Sequence, residues 1–280
     1  MNKLLNNFKQ ATIVKKLIYI NIMVFLLTHL IHTLGYLFNL ESNVIYDWFS
    51  MPSNTEEFIW RPWSILSYGF LHASFLHIFS NLLILYYIGN LFVEYFSQKQ
   101  LLNFYLYGTA FGGLLYLFSY NFFPALKNSN ATLVGASAAV MAIFVGIASY
   151  MPNYQLKLRF IGYVKLWVLA AVFIGLDLIQ IPGGNAGGHM SHIGGALFGY
   201  VYRYTYTGQV KKSKFSDYFT NLFQKKSVLK TVHKSKTRKS SDTKNINQQK
   251  IDLILEKISK SGYESLNQEE KDLLFKQGKK

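Results

Sequence analysis

GGHMSHIGGALFG, residues 187–199, puts His189 and His192 at the head of a stretch that stays mostly apolar as far as Tyr206. Gly195 and Gly199 form a GxxxG motif about one turn beyond His192, which gives a membrane helix a flat face for close approach. The His192 imidazole points the same way. An ionisable side chain inside an apolar helix is expensive and invites a functional reading, although packing or hydrogen bonding is the commoner role for a lone histidine. The matching surface lies upstream in VGASAAVMA, residues 134–142. There Ser137 follows Gly135 by two, and Ala138, Ala142 and Gly146 make a stripe of small residues. Such a stripe allows the approach that a Ser–His bond across helices requires. Close to a helix start, free amides favour negative charge, so an oxyanion developing at Ser137 is stabilised.

The rest of the chain supplies the setting. Half of its 280 residues are hydrophobic, yet the formal net charge is +15, so the two properties must be segregated. A span needs about 20 mostly apolar residues, and six stretches qualify: 17–38, 72–95, 99–120, 132–150, 163–181 and 188–206. The expected fold class is an all-α membrane protein, a bundle of six transmembrane helices with a cytoplasmic C-terminal helical extension. The expected organisation is a cytoplasmic segment 1–16, a membrane domain 17–207, a basic flexible linker 208–245 and a small helical hairpin 246–280. Ile251, Leu253, Leu255 and Ile258, then Leu266, Leu273, Leu274 and Phe275, suggest the two hairpin helices, turning at Ser261-Gly262.

Lys15, Lys16, Lys99, Lys157, Arg159, Lys165 and Arg203 fall on one side of the spans, and the positive-inside rule makes that side and both termini cytoplasmic. The excess charge then belongs with membrane orientation and anionic lipid, with the lipid bilayer as a partner and no nucleic acid. The basic N-terminus is followed by no small-residue cleavage site and reads as part of the mature chain. With no cysteine, thiolate metal sites, disulfides and a cysteine nucleophile are excluded. The long connection 40–71, with Trp48, Phe49, Phe58, Trp60 and Trp63, suits a segment lying in the outer interface. Ile181–Gly188, IPGGNAGG, reads as an irregular strip that can act as a lid.

The second span adds His77 and Asn81, four apart on one helical face, with His72 nearer its start. They read as side-chain donors to an oxyanion, set against interhelical hydrogen bonding as the plainer role. At about 1.5 Å per residue, His77, Ser137 and His192 lie roughly 5–12 Å below the outer ends of their spans. No metal is expected from His72, His77, His189 and His192, because there is no HExxH and no well-placed carboxylate. Asp177, the only acidic residue in mid-span, lacks the aspartate partner of an intramembrane aspartyl chemistry.

Taken together, the Trp60-Arg61 pair, the H-x4-H-x3-N array of His72, His77 and Asn81, the serine of GASA and the histidine of SHIGGALFG resemble the rhomboid family of intramembrane serine proteases, over about 60–199. The resemblance implies a six-helix core in which Ser137 is the nucleophile and His192 the general base, a dyad without an acidic third member. It also implies that His77, Asn81 and the Ser137 amide hold the oxyanion. Trp60, Arg61, His72 and Gly135 are then structural, and Gly195 and Gly199 form the tight helix contact. Two positions depart from the family pattern, Ala138 for a glycine and Met141 for an aromatic. The implied function is cleavage of transmembrane protein substrates near the outer ends of their spans, without cofactor; the compact six-span layout suggests a bacterium, and hence its inner (plasma) membrane. The alternative is a non-catalytic relative that binds membrane clients.

Overall fold

The computed structural model describes residues 6, 8–40, 44–127, 129–159, 161–206 and 252–277. The expected linker 208–245 lies outside them. The chain divides into two compact units, Met1–Thr220 and Asn221–Lys280.

The first unit is a helical bundle. Its long helices are α1 (Ile13–Leu37), α5 (Phe75–Tyr95), α6 (Gln98–Phe122), α7 (Ser137–Tyr150), α8 (Leu166–Gln180) and α9 (Ala186–Tyr206). Between α1 and α5 come α2 (Val44–Phe49), strand β1 (Met51–Pro52), α3 (Thr55–Trp60) and α4 (Ser64–Ser67). Strand β2 (Thr132–Leu133) precedes α7, and β3 (Gln155–Leu158) with β4 (Gly162–Lys165) makes a hairpin after it. All six expected apolar stretches contain a helix. Four of these (α1, α5, α6 and the run Leu166–Gly183 containing α8) are long and apolar enough to cross a membrane, while α7 is a shorter apolar helix.

Side-chain caps set several helix starts. Thr12 accepts from Lys15 N at the head of α1, and Ser74 from His77 N at the head of α5. Ser97 and Gln100 form a reciprocal capping box that restarts the chain as α6 within two residues of the end of α5. The outward faces stay apolar: Leu26, Leu30, Leu76 and Ile179 are all more than half exposed. In water that surface would be a liability, whereas for a membrane protein it is the lipid-facing side.

Polar side chains pin the interior. Tyr105 Oη donates to Gly69 O at 3.0 Å and accepts from Asn21 Nδ2, also at 3.0 Å. Tyr68 Oη donates to Thr109 O at 2.6 Å and lies 3.3 Å from Ser191 Oγ. These bonds join α1, α6, α9 and the 3₁₀ turn Tyr68–Phe70.

The second unit contains α10 (252–261), a turn at Gly262 with φ 75°, and α11 (Gln268–Gln277). The expected turn at Ser261-Gly262 is there. The buried residue of α10 is Ile254, with Leu253 and Leu255 exposed on either side, because a helix cannot turn positions two apart to one face.

Candidate active site

The approach to Ser137 is built by other segments. Strand β2 pairs antiparallel with β1, Met51 opposite Leu133, which ties the approach to the long outer connection. Gly135 N then donates to Tyr68 O at 2.9 Å, and Ala136 N to His72 Nε2 at 3.4 Å. Gly135 has φ 130°, a left-handed conformation that interrupts any helix and favours glycine. Helix α7 therefore begins at Ser137, not at 132 as expected, since residues 132–136 give their backbone groups to neighbouring elements. His72, fully buried, serves as a prop beneath this loop.

Ser137 is thus the first residue of α7, where the leading amides have no intrahelical partner. Its side chain lines a cavity of about 580 Å³ together with His77, Asn81, Met141, Asp177 and His192. The three reach the cavity from different places in their helices: His77 is the third residue of α5, Ser137 the first of α7 and His192 the seventh of α9. They share a cavity because 132–136 descends as non-helical chain. No hydrogen bond joins Ser137 to His192 among the described residues. Catalytic contacts are often loose before substrate arrives.

His77 lies over the loop, its ring edge-on to that of His72 at 5.1 Å between centroids. A Cβ on Gly135 would sit 2.7 Å from His77 Nε2, so the glycine makes room for the imidazole as well as adopting the turn. Asn81 Nδ2 donates to His77 O at 2.9 Å, which leaves its second amide hydrogen for the cavity.

The glycine seam is tight. A Cβ on Gly195 would land on the Ala138 carbonyl oxygen, and one on Gly199 on that of Ala142. From α6, Gly112 rests against both Ala138 and Ser191, and Gly108 against Ala142. Away from the cavity, Arg61 donates to the Asp47 carbonyl and pairs with Glu57, while Trp60 is exposed. Trp48 and Trp63 stack at 6.1 Å. The strip 181–188 is shorter than expected. Ile181–Gly183 is a 3₁₀ turn, Gly184 has φ 115°, and α9 has already begun at Ala186.

One carboxylate was misjudged from sequence. Asp177, on α8, places Oδ1 at 2.8 Å from His192 Nδ1 and equally at 2.8 Å from His189 Nδ1. The expectations of a pair with no acidic neighbour and of no well-placed carboxylate are both corrected. The signal was available as a lone aspartate in an apolar helix and two histidines three apart on another. A buried carboxylate can be matched by histidines as well as by a second acid. The three ligand atoms lie within 4.8 Å of one another, a spacing a divalent cation also accepts.

A polytopic helical bundle with apolar flanks, enclosing a cavity with a helix-start serine and histidines from two other helices, defines a class of membrane proteins built around buried polar chemistry. The chain belongs to the rhomboid family: the Rhomboid domain matches residues 59–209, more than half its length. A second family, of unknown function, matches residues 236–280. Among curated relatives, RHOMBOID-like protein 12, mitochondrial, of Arabidopsis thaliana is 31% identical over 147 residues, 49% of this chain and 44% of that protein. Rhomboid-related protein 1 of Caenorhabditis elegans is 33% identical over 157 residues, 51% of this chain and 41% of its own length. Presenilin-associated rhomboid-like protein A, mitochondrial, of Danio rerio is 27% identical over 137 residues, 48% of this chain and 35% of that protein. The chain therefore spans less than half the length of each.

Proposed function

We propose that the chain is an intramembrane serine endopeptidase of six spans, with Ser137 as nucleophile and His192 as general base. The observation that carries this reading is the meeting of Ser137, at the first turn of α7, with His77, Asn81 and His192 around one cavity. His192 Nε2 takes the Ser137 proton as Oγ bonds to the substrate carbonyl carbon, and the carbonyl π electrons move to oxygen. The Ser137 amide, His77 and Asn81 face that oxyanion. His192 then gives the proton to the departing amine as the C–N bond breaks, and water repeats the sequence on the acyl-enzyme. The substrates are single-span proteins, cut near the outer end of the span. The bilayer is the plasma membrane of a bacterium and both termini are cytoplasmic. Two of the relatives carry mitochondrial names, so fractionation of the native host is the check on compartment.

The test of activity is cleavage of a tagged single-span substrate by purified protein in lipid vesicles. The parent cleaves, while Ser137→Ala and His192→Ala fall to background. Equal binding without cleavage by all three chains would replace the protease with a client-binding protein.

A further inference from the structure

Resting on that reading, we propose that Asp177 is a positioning residue for His192, fixing the imidazole tautomer through Nδ1, and that His189 clips the carboxylate at the same oxygen. An ionised carboxylate only accepts hydrogen bonds. The two 2.8 Å contacts to Oδ1 therefore require both histidines to carry their proton on Nδ1. His192 Nε2 is then left with the lone pair, which is the form a general base needs before it takes the serine proton.

The surroundings support a designed contact over a chance one. The side chain of Asp177 is only 10% exposed and that of His189 12%, whereas that of His192 is 24% exposed. A carboxylate so enclosed within a membrane helix is costly unless charge-assisted bonds hold it. His189 and His192 sit three apart, on one face of α9, with their rings nearly perpendicular at 87°. Asp177 and His192 line the cavity with Ser137. Two donors on one oxygen restrain the carboxylate more than either does alone, and they leave Oδ2 free of both histidines.

The chemistry is that of a Ser-His-Asp arrangement assembled across three helices. Through the reaction the Nδ1 proton stays on His192 and Asp177 stays ionised, balancing the imidazolium that forms when Nε2 takes the serine proton. In a soluble Ser-His-Asp protease, changing the aspartate to asparagine costs about 10⁴ in kcat, through the wrong tautomer. Asp177→Asn, which deprives His192 Nδ1 of its carboxylate acceptor, is expected to lower kcat by at least about 100-fold and to leave KM within about twofold.

The experiment uses full-length protein in vesicles with EDTA throughout, so that no stray cation occupies the three ligand atoms. Cleavage kinetics of parent, Asp177→Asn, His189→Gln and Ser137→Ala are read beside ¹⁵N shifts of labelled histidine, which distinguish the Nδ1–H from the Nε2–H tautomer. The expected result is Nδ1–H for His192 in the parent and a shift toward Nε2–H in Asp177→Asn alongside its loss of kcat. His189→Gln shows a loss of severalfold. Parent His192 protonated on Nε2, or Asp177→Asn with parental kcat and parental tautomer, would overturn the proposal. A parent that cleaves nothing would remove the protease reading, and the tautomer would still decide the role of Asp177.

Discussion

Gly135 concentrates two demands in one residue. Its φ of 130° and the 2.7 Å that would separate an added Cβ from His77 Nε2 both exclude a side chain. Gly135→Ala should displace His77 from the cavity and slow cleavage about 100-fold, the scale of losing an oxyanion donor. Single-turnover kinetics at saturating substrate check this, with the substrate Kd unchanged. At this scale much of the site was legible from sequence. His77, Asn81, Ser137 and His192 are polar residues in apolar stretches, and that contrast survives without coordinates. Asp177 stood out as a lone acid in an apolar helix, but its partner was not legible because that depends on which face of α8 meets α9. Spacing within one helix carries no such information about a neighbour.

At the scale of elements, the contact between α7 and α9 leaves no room for side chains at its glycines. Gly199→Leu would press a side chain into the Ala142 carbonyl and should cost about 1–3 kcal/mol. Gly175, where an added Cβ would meet no atom within 4 Å, is the matched control. Gly175→Leu should be neutral or slightly stabilising, since glycine is a poor helix former. Thermal midpoints of the two variants in detergent, compared with the parent, read the contrast. The GxxxG pattern made this packing legible, whereas the small-residue stripe of α7 turns its methyls toward Gly108 and Gly112 of α6 and meets α9 through its backbone. Helix starts were harder to read. The hydropathy of 132–136 is continuous with that of α7, and it is the pairing with β1 and the bonds to Tyr68 and His72 that divert the backbone there.

At the scale of the molecule, the extension belongs to a second compact unit with its own bonding. Glu270 and Asn267 cap the start of α11 reciprocally, Glu270 Oε2 accepting from Asn267 N at 2.8 Å and Asn267 Oδ1 from Glu270 N at 2.9 Å. Lys257 Nζ on α10 donates to both Glu270 oxygens, at 3.0 and 2.9 Å. Lys257, followed by the Asn267 amide, holds the Glu270 carboxyl below the usual range. A depressed carboxylate supports folding above its unfolded value, and that support is lost as pH falls through the folded one. Side-chain ¹³C titration of the full chain should show Glu270 ionising below ordinary glutamates, and Lys257→Ala should return it upward. The hairpin and its turn were legible from the apolar runs and Gly262. Its inner residue was not, because Leu253, Ile254 and Leu255 are equally apolar and only the helical turn selects among them.

The length of α7 bears on how the proposed hydrolysis would occur inside a membrane. Its 14 residues rise about 21 Å, against a hydrocarbon thickness of about 30 Å. If the cytoplasmic end of the helix sits at its own interface, the top of α7 stops about 9 Å short of the opposite one. That shortfall would be bridged by Thr132–Ala136 and the cavity beside them, and Ser137 would then stand at the floor of a notch cut into the bilayer. On the proposed reading, the depth of the cut, and hence the portion of a client helix that must unwind to reach it, follows from where a glycine stops one helix from starting sooner.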